Sequence, residues 1–330
     1  VTRLLKAPAW GGLVILVAGL AAAAGPSPRP AEEPWEKLPD GGLGRVAVFD
    51  GKGGVPVAAY VRKPAGDGPF PVVILLHGGG PAAKPQTAPT EAERARKAAD
   101  EAVRAAAAMG RATHPPVPEF LARGWVVYAV DYRPNPRYVL DPLEWDDTAI
   151  AVGKARAFPS ADPKRVAMFG GSHGGHVTAR MATRVDLSAA IVCAPAGLDL
   201  IALARLADKG TPIGGNRMLV RQMEQRAGVK MADIEKDPAA YQYSSPLTEA
   251  AAVRCPVLLI SGRNDDNAPL PVMTAYADRL RAAGKRVEVY HPDDGPHGFY
   301  VGRPKPIPET AESTRRAVAF LDRHFNPAAP

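Results

Sequence analysis

Apolar runs alternate along this chain with segments of helical character. "FPVVILLHGGG", "GWVVYAVDYR", "RVAMFGGSHGG", "LSAAIVCAP", "CPVLLISG" and "KRVEVYHP" each close on a polar or glycine-rich turn. Runs of this length fit strands buried on both faces, as in a parallel sheet, rather than the strict alternation of a half-exposed one. Between them, Glu144–Ala157, Gly174–Val185 and Val272–Ala283 read as helices. Ahead of them "GRVAVFDGKGGVPVAAYVRKP" shows two β-type runs around Gly51–Gly54, the signature of a hairpin. Strand–helix alternation of this kind predicts an α/β fold built on an open, mostly parallel, doubly wound sheet with helices on both faces.

Two segments are too long to be plain connections, about 81–118 and about 198–252. The first contains "TEAERARKAADEAVRAAAAMG", where Thr90 and Glu93 fit a capping box ahead of strong helix formers. The second contains "NRMLVRQMEQRAG", another expected helix. Both follow carboxyl ends of strands, the side on which open α/β sheets bind ligands. They are candidate lids; surface helices without a role are the alternative.

The amino-terminal stretch stands outside the fold. Arg3 and Lys6 precede an apolar run, Leu13–Leu20, and small residues, Ala21–Ala24. That is the layout of a secretory signal peptide over residues 1–24, and no cysteine follows the run to suggest a lipid anchor. The run is short for a stable span, which needs about 20 apolar residues, so no membrane span is expected after cleavage. An uncleaved anchor is the alternative. A proline-rich linker is expected over 25–42 and a single catalytic domain over 43–330, in the periplasm or outside the cell.

The chain's 330 residues give ample length for one large core. The net charge of +7 arises from Lys and Arg scattered among Asp and Glu, which reads as a solvated surface rather than a nucleic-acid site. Export permits disulfides, but Cys193 lies inside one expected strand and Cys255 just before another. On neighbouring strands that offset exceeds the ~7 Å Cα separation a bridge tolerates, so both are expected as buried free thiols.

The chemistry gathers at strand ends. Gly170-Gly171-Ser172-His173-Gly174 fits G-x-S-x-G between a strand and a helix. A serine on so sharp a turn needs Gly170 and Gly174, because side chains there would collide across it. A hydroxyl is a weak nucleophile and requires a base. "LLISGRNDDNAPLP" offers Asp265 or Asp266, and "VEVYHPDDGPHGF" offers His291 or His297, in the chain order Ser, Asp, His. A base must swing over the serine, and the Pro/Gly loop around His297 suits that better than the strand end at His291. The "HPDDGPH" cluster also raises a metal site, against which no matching ligand cluster stands elsewhere in the chain. His173 and His176 are expected to contribute backbone and helix surface. "HGGG" (His77–Gly80) closes a strand with bare backbone, so Gly78 and Gly79, with the N–H of His173, form a candidate oxyanion hole.

On these residues the chain resembles an α/β-hydrolase, and in detail the catalytic domain of the prolyl oligopeptidase family. "GGSHGGH" is similar to that family's nucleophile segment, especially in acylaminoacyl peptidases. "YSSPLTEAAAVRCPVLLISGRNDDNAP" resembles its acidic segment, with G-x-x-D falling on Gly262 and Asp265, and "GPHGF" resembles its histidine segment, on His297. The resemblance runs from about residue 45 to 325 and implies a Ser172–His297–Asp265 triad with no metal or organic cofactor. Two departures matter. Fewer than fifty residues precede the fold, so the family's β-propeller is not expected, and "HGGG" is similar to hormone-sensitive-lipase-type esterases where the family usually has "HGGP". The expected activity is therefore a carboxylesterase acting on small acyl esters, including those of acylated carbohydrates. A peptidase for short or acylated peptides and a non-catalytic binding protein on the same fold are the alternatives.

Overall fold

The structure, a computed structural model, describes residues 34–79, 114–132, 140, 142–238 and 245–326. Among the described residues nine strands form one sheet: β1 (Glu36–Lys37), β2 (Leu43–Asp50), β3 (Pro56–Lys63), β4 (Phe70–Leu76), β5 (Val126–Asp131), β6 (Ala161–Gly171), β7 (Ala189–Cys193), β8 (Val257–Ile260) and β9 (Val287–Tyr290). Their spatial order is β1-β2-β3-β5-β4-β6-β7-β8-β9. The pairs β1–β2, β2–β3 and β3–β5 are antiparallel, and every pair from β5–β4 onward is parallel. From β4 the chain runs outward to β5 and then back to β6 on the other side. At such a reversal open α/β sheets place their ligands, beyond the carboxyl ends of the strands, which here are those of β4 and β6.

The sequence explains which strands lie inside. Every residue of β7 and β8 is buried, and in β5 only Asp131 at the carboxyl end is not, as apolar runs covered on both faces require. In β9, at the edge, Glu288 is exposed and the other three residues are only partly covered. Helices α1 (Val117–Ala122) and α7 (Pro308–Phe325) pack together, as do α2 (Pro142–Arg156) and α3 (His173–Arg184). Both α3 and α7 contact β6 and β7, so the two groups cover the sheet's two faces. An aromatic chain binds the α1 side: Phe120 meets Phe169 edge-on and Trp125, and Trp125 meets Phe325. Each such burial stabilises by about 1.5–3 kcal/mol.

The region 198–252 contains the expected helix, α5 (Asn216–Ala227), preceded by α4 (Leu200–Asp208). Asp199 caps α4, accepting from the N–H groups of Ile201 and Ala202 at 3.1 and 3.0 Å. α6 (Leu270–Ala282) follows β8. The stretch expected as linker over 25–42 ends differently: β1 lies within it and pairs with β2, so the sheet begins before residue 43. Trp35 anchors this start by packing edge-on to Phe158 beneath the Arg45 guanidinium. The expected signal peptide, linker residues 25–33 and most of the first insertion, with its capping residues Thr90 and Glu93, lie outside the described residues. Cys193 and Cys255 are both buried and free. Cys193 sits opposite Ile260 at the carboxyl end of β8, whereas Cys255 precedes that strand's amino end. Among the described residues no helix is long and apolar enough to cross a membrane.

Candidate active site

Ser172 stands between the last residue of β6 and the first of α3, with φ 56° and ψ −117°. A non-glycine residue held there is strained by about 1–3 kcal/mol and persists only if its surroundings over-determine it. They do. The Ser172 N–H donates to the carbonyl of Cys193 at 2.9 Å, and its own carbonyl accepts from His176 and Ala196 at 3.1 and 3.0 Å. A Cβ on Gly170 would run into the Gly174 carbonyl and Thr178 Oγ1; one on Gly174 would run into the carbonyls of Leu76 and His77. Gly171 is closed off by the Tyr300 ring. Helix α3 can thus approach β4 and β6 only with glycine at both ends of the turn.

The acid and the base arrive on two loops that touch through glycine backbone, Gly262 against Gly295. Asp265 follows β8, is 2% exposed, and accepts from the Asn267 N–H at 2.8 Å through Oδ1. His297 follows β9. Its Nδ1 lies 2.8 Å from Asp265 Oδ2 and 3.1 Å from Oδ1, and its Nε2 lies 3.0 Å from Ser172 Oγ. A carboxylate can only accept, so the network assigns the proton to Nδ1 and leaves Nε2 to accept from the Ser172 hydroxyl. Asp266 is exposed, and it is Asp265 that meets His297 Nδ1. His291 remains at its strand end against the Ser261 hydroxyl and carbonyl, at 3.1 and 3.2 Å, and burial pulls its pKa down.

The turn after β4 comes alongside the serine. Gly78 faces Ser172 so that an added Cβ would lie 3.3 Å from the serine Cβ and 4.0 Å from its Oγ. His173 begins α3 with its imidazole buried against Glu144, Nε2 to Oε2 at 2.7 Å. His176 is fully buried, its Nδ1 3.0 Å from the Ala196 carbonyl, and burial followed by the Arg180 charge holds its pKa well below the ordinary histidine range. Burial also pushes the Cys193 thiol well above its ordinary range, which keeps this neighbour of the elbow unreactive. Among the described residues no cluster of three His, Cys, Asp or Glu side chains could hold a metal ion.

Several residues around this site carry no motif in the sequence. Tyr300, three positions after His297, packs under the elbow with its hydroxyl at the Ser172 backbone; burial, then Cys193 and Asp265, drive its pKa well up. Asn267 ties the acid turn to the second insertion: its Oδ1 accepts from Gly215 N–H at 2.7 Å and its carbonyl from Asn216 Nδ2 at 2.5 Å. Asn216 Oδ1 in turn accepts from Gly197 N–H at 2.9 Å. The position of Tyr300 inside "GPHGFY" and of Asn267 inside "NDDNAP" was the only available hint to either.

The reversed strand order and the strand–Ser172–helix turn define an α/β-hydrolase. The chain belongs to the prolyl oligopeptidase family, whose model matches residues 143–328. It is 28% identical over 317 residues to "Carboxylesterase NlhH" of Mycobacterium tuberculosis, covering 89% of this chain and 86% of that protein. It is 27% identical over 197 residues to "Probable carboxylic ester hydrolase LipM" of the same organism, of which the match spans only 42%. Among solved structures, the acylaminoacyl peptidase of Pyrococcus horikoshii superposes with a TM-score of 0.62 at 18% identity, over 90% of this chain but 43% of that one. The acetyl xylan esterase from Paenibacillus sp. R4 superposes with a TM-score of 0.62 at 17% identity, over 88% of this chain and 89% of that one. These likenesses between structures concern the fold.

Proposed function

We propose that the protein is an exported serine carboxylesterase for small acyl esters, with Ser172 as nucleophile, His297 as base and Asp265 as the group that orients it. The observation that carries this reading is the unbroken line of hydrogen bonds from Asp265 through His297 to the Ser172 hydroxyl, at 2.8 and 3.0 Å. Ser172 Oγ attacks the ester carbonyl carbon as its proton passes to His297 Nε2. The imidazolium is stabilised by Asp265, and the carbonyl oxygen, now an oxyanion, by N–H groups of His173 and the Gly78/Gly79 turn. The C–O bond to the alcohol then breaks and the alcohol leaves with the proton from His297. Water, deprotonated by the same imidazole, releases the acid from the acyl-serine.

The likeness to NlhH across nearly the whole of both chains supports an ester rather than an amide substrate. Export rests on the charged start, apolar run and small residues of positions 1–24. A peptidase acting on short or acylated peptides is the second reading, favoured by the family match over 143–328. The two share their chemistry and part on substrate. Purified protein should hydrolyse p-nitrophenyl acetate and butyrate far faster than acyl-amino-acid or Xaa-Pro anilides. Efficient anilide turnover with poor ester turnover would reverse the assignment.

A further inference from the structure

The two arms of the candidate oxyanion hole are joined by side chains outside the triad. One arm, the turn that begins at His77, stacks its imidazole on the Tyr132 ring with centroids 4.4 Å apart and planes 13° from parallel. The Tyr132 hydroxyl also donates to the His77 carbonyl at 2.7 Å. The other face of this assembly is His173, whose ring lies 5.7 Å from Tyr132 at 24°. His173 is the residue that would supply the second arm's N–H. Its Nε2 meets Glu144 Oε2 at 2.7 Å, and both side chains are almost wholly buried.

This arrangement runs against the ordinary cost of burial. Glu144 is 2% exposed, and its other oxygen, Oε1, has no hydrogen-bond partner among the described residues. A half-satisfied buried carboxylate is expensive, so its presence beside the nucleophile needs a reason other than stability. Backbone donors stabilise an oxyanion only when fixed at the position the charge will occupy, and an N–H cannot be aimed by its own side chain unless that side chain is anchored.

We propose that Tyr132 and Glu144 are positioning residues that set the separation of the two oxyanion-hole arms: Glu144 locks the His173 ring, and Tyr132 spaces it from His77 while holding the His77 carbonyl. The hydrogen bonds of the triad run through neither residue. The assignment rests on the triad reading above, with an acyl substrate whose carbonyl oxygen becomes charged.

The test is Tyr132→Phe and Glu144→Gln in the full chain, assayed with an ester and with a trifluoromethyl ketone. The ketone reports the oxyanion directly. Ser172 Oγ bonds to its carbonyl carbon, the carbonyl π pair becomes the oxyanion, and the serine proton passes to His297. Loss of one donor outright costs about 100- to 1000-fold, so a displaced one should cost about tenfold. Each variant is expected to raise the ketone's Ki about tenfold and to lower kcat by the same factor, with KM unchanged. Glu144→Gln in a His173→Ala background is expected to add no further loss, because the ring it anchors is gone. Unchanged Ki in the single variants, or a Glu144→Gln loss that persists undiminished in the His173→Ala background, would overturn the inference. If Glu144→Gln does not fold, Tyr132→Phe, which keeps both ring stacks, decides the matter. A wild-type protein that neither turns over esters nor binds the ketone would instead refute the proposed function.

Discussion

Two glycine-rich stretches, "GKGG" at 51–54 and "GGSHGG" at 170–175, look alike as text and differ in what their glycines do. In the hairpin between β2 and β3, Gly53 and Gly54 have φ of 72° and 76°, and an added Cβ on either would meet nothing within 4 Å. At these two positions glycine supplies a backbone conformation and nothing else, whereas Gly51 at the start of the stretch has an ordinary negative φ and is closed in by Asp147 and Val57. In the elbow, Gly170, Gly171, Gly174 and Gly175 are absent from the positive-φ residues, yet a Cβ on any of them would come closer than 3.0 Å to a neighbour. The one positive φ of the stretch belongs to Ser172. So the hairpin places its unusual backbone where it is free, and the elbow places it on a serine, held by glycines that let the surroundings close in. Strain placed on Ser172 although a permissive glycine, Gly171, stands directly before it is what the proposed nucleophile role would require.

The widest break in this comparison comes from replacing the serine itself. Ser172→Ala should lower kcat by about 10⁴-fold or more, measured on p-nitrophenyl acetate, because the proposed nucleophile is lost. Ser172→Gly should be as inactive yet melt higher than Ser172→Ala, by about 1 kcal/mol at the midpoint, because only glycine accepts the turn without strain. Equal melting would mean that the turn is not strained. Asp265→Asn should lower kcat by about 10⁴-fold with little change in KM, since the amide can present a donor to His297 and favour the wrong tautomer.

Stability separates the two stretches next. Gly174→Ala forces a Cβ against the Leu76 and His77 carbonyls, at 2.5 Å from the first, and should destabilise by about 3 kcal/mol in denaturant titration. Gly53→Ala meets no atom and should cost only about 1 kcal/mol, the penalty of the left-handed conformation. Comparable losses at both sites would erase the distinction.

The elbow's second histidine sharpens the same contrast through pH. His176 is buried neutral in the folded state, whereas unfolded it titrates near the ordinary value of about 6.5. The unfolded chain therefore binds more protons below that pH, and stability should fall on acidification from about 6.5, by up to about 1.4 kcal/mol per pH unit. His176→Gln should flatten the fall between pH 6.5 and 5 in melting experiments; an unaltered slope would show that other groups govern it.

Much of this organisation was legible beforehand for identifiable reasons. The inner parallel strands β5, β7 and β8 announce themselves because burial on both faces leaves almost no polar position to interrupt them, and the hairpin because its glycines sit between two β-type runs. The order Ser172, Asp265, His297 was readable because each follows a strand's carboxyl end, and the three side chains do converge in space. The choice of Asp265 over Asp266 came from family spacing alone. Helix α7 escapes notice because Thr310, Ser313 and Thr314 face inward in its first turns, so no apolar period shows there. β1 is two residues long and exists only through its pairing with β2. In α4, Leu200, Leu203, Ala204 and Ala207 do carry a helical spacing, hidden by reading 198–252 as a single insertion. Tyr132 and Glu144 were invisible for a different reason: their contacts are with partners remote in sequence, which no local pattern encodes.

The central claim, that the strained serine is the nucleophile, is tested most directly by a fluorophosphonate probe followed by mass spectrometry of the digested protein. The account predicts one equivalent of label, on the peptide bearing Ser172, with labelling abolished in Ser172→Ala and strongly slowed in His297→Ala. Absence of label from active protein, or label on another residue that survives Ser172→Ala, would contradict it.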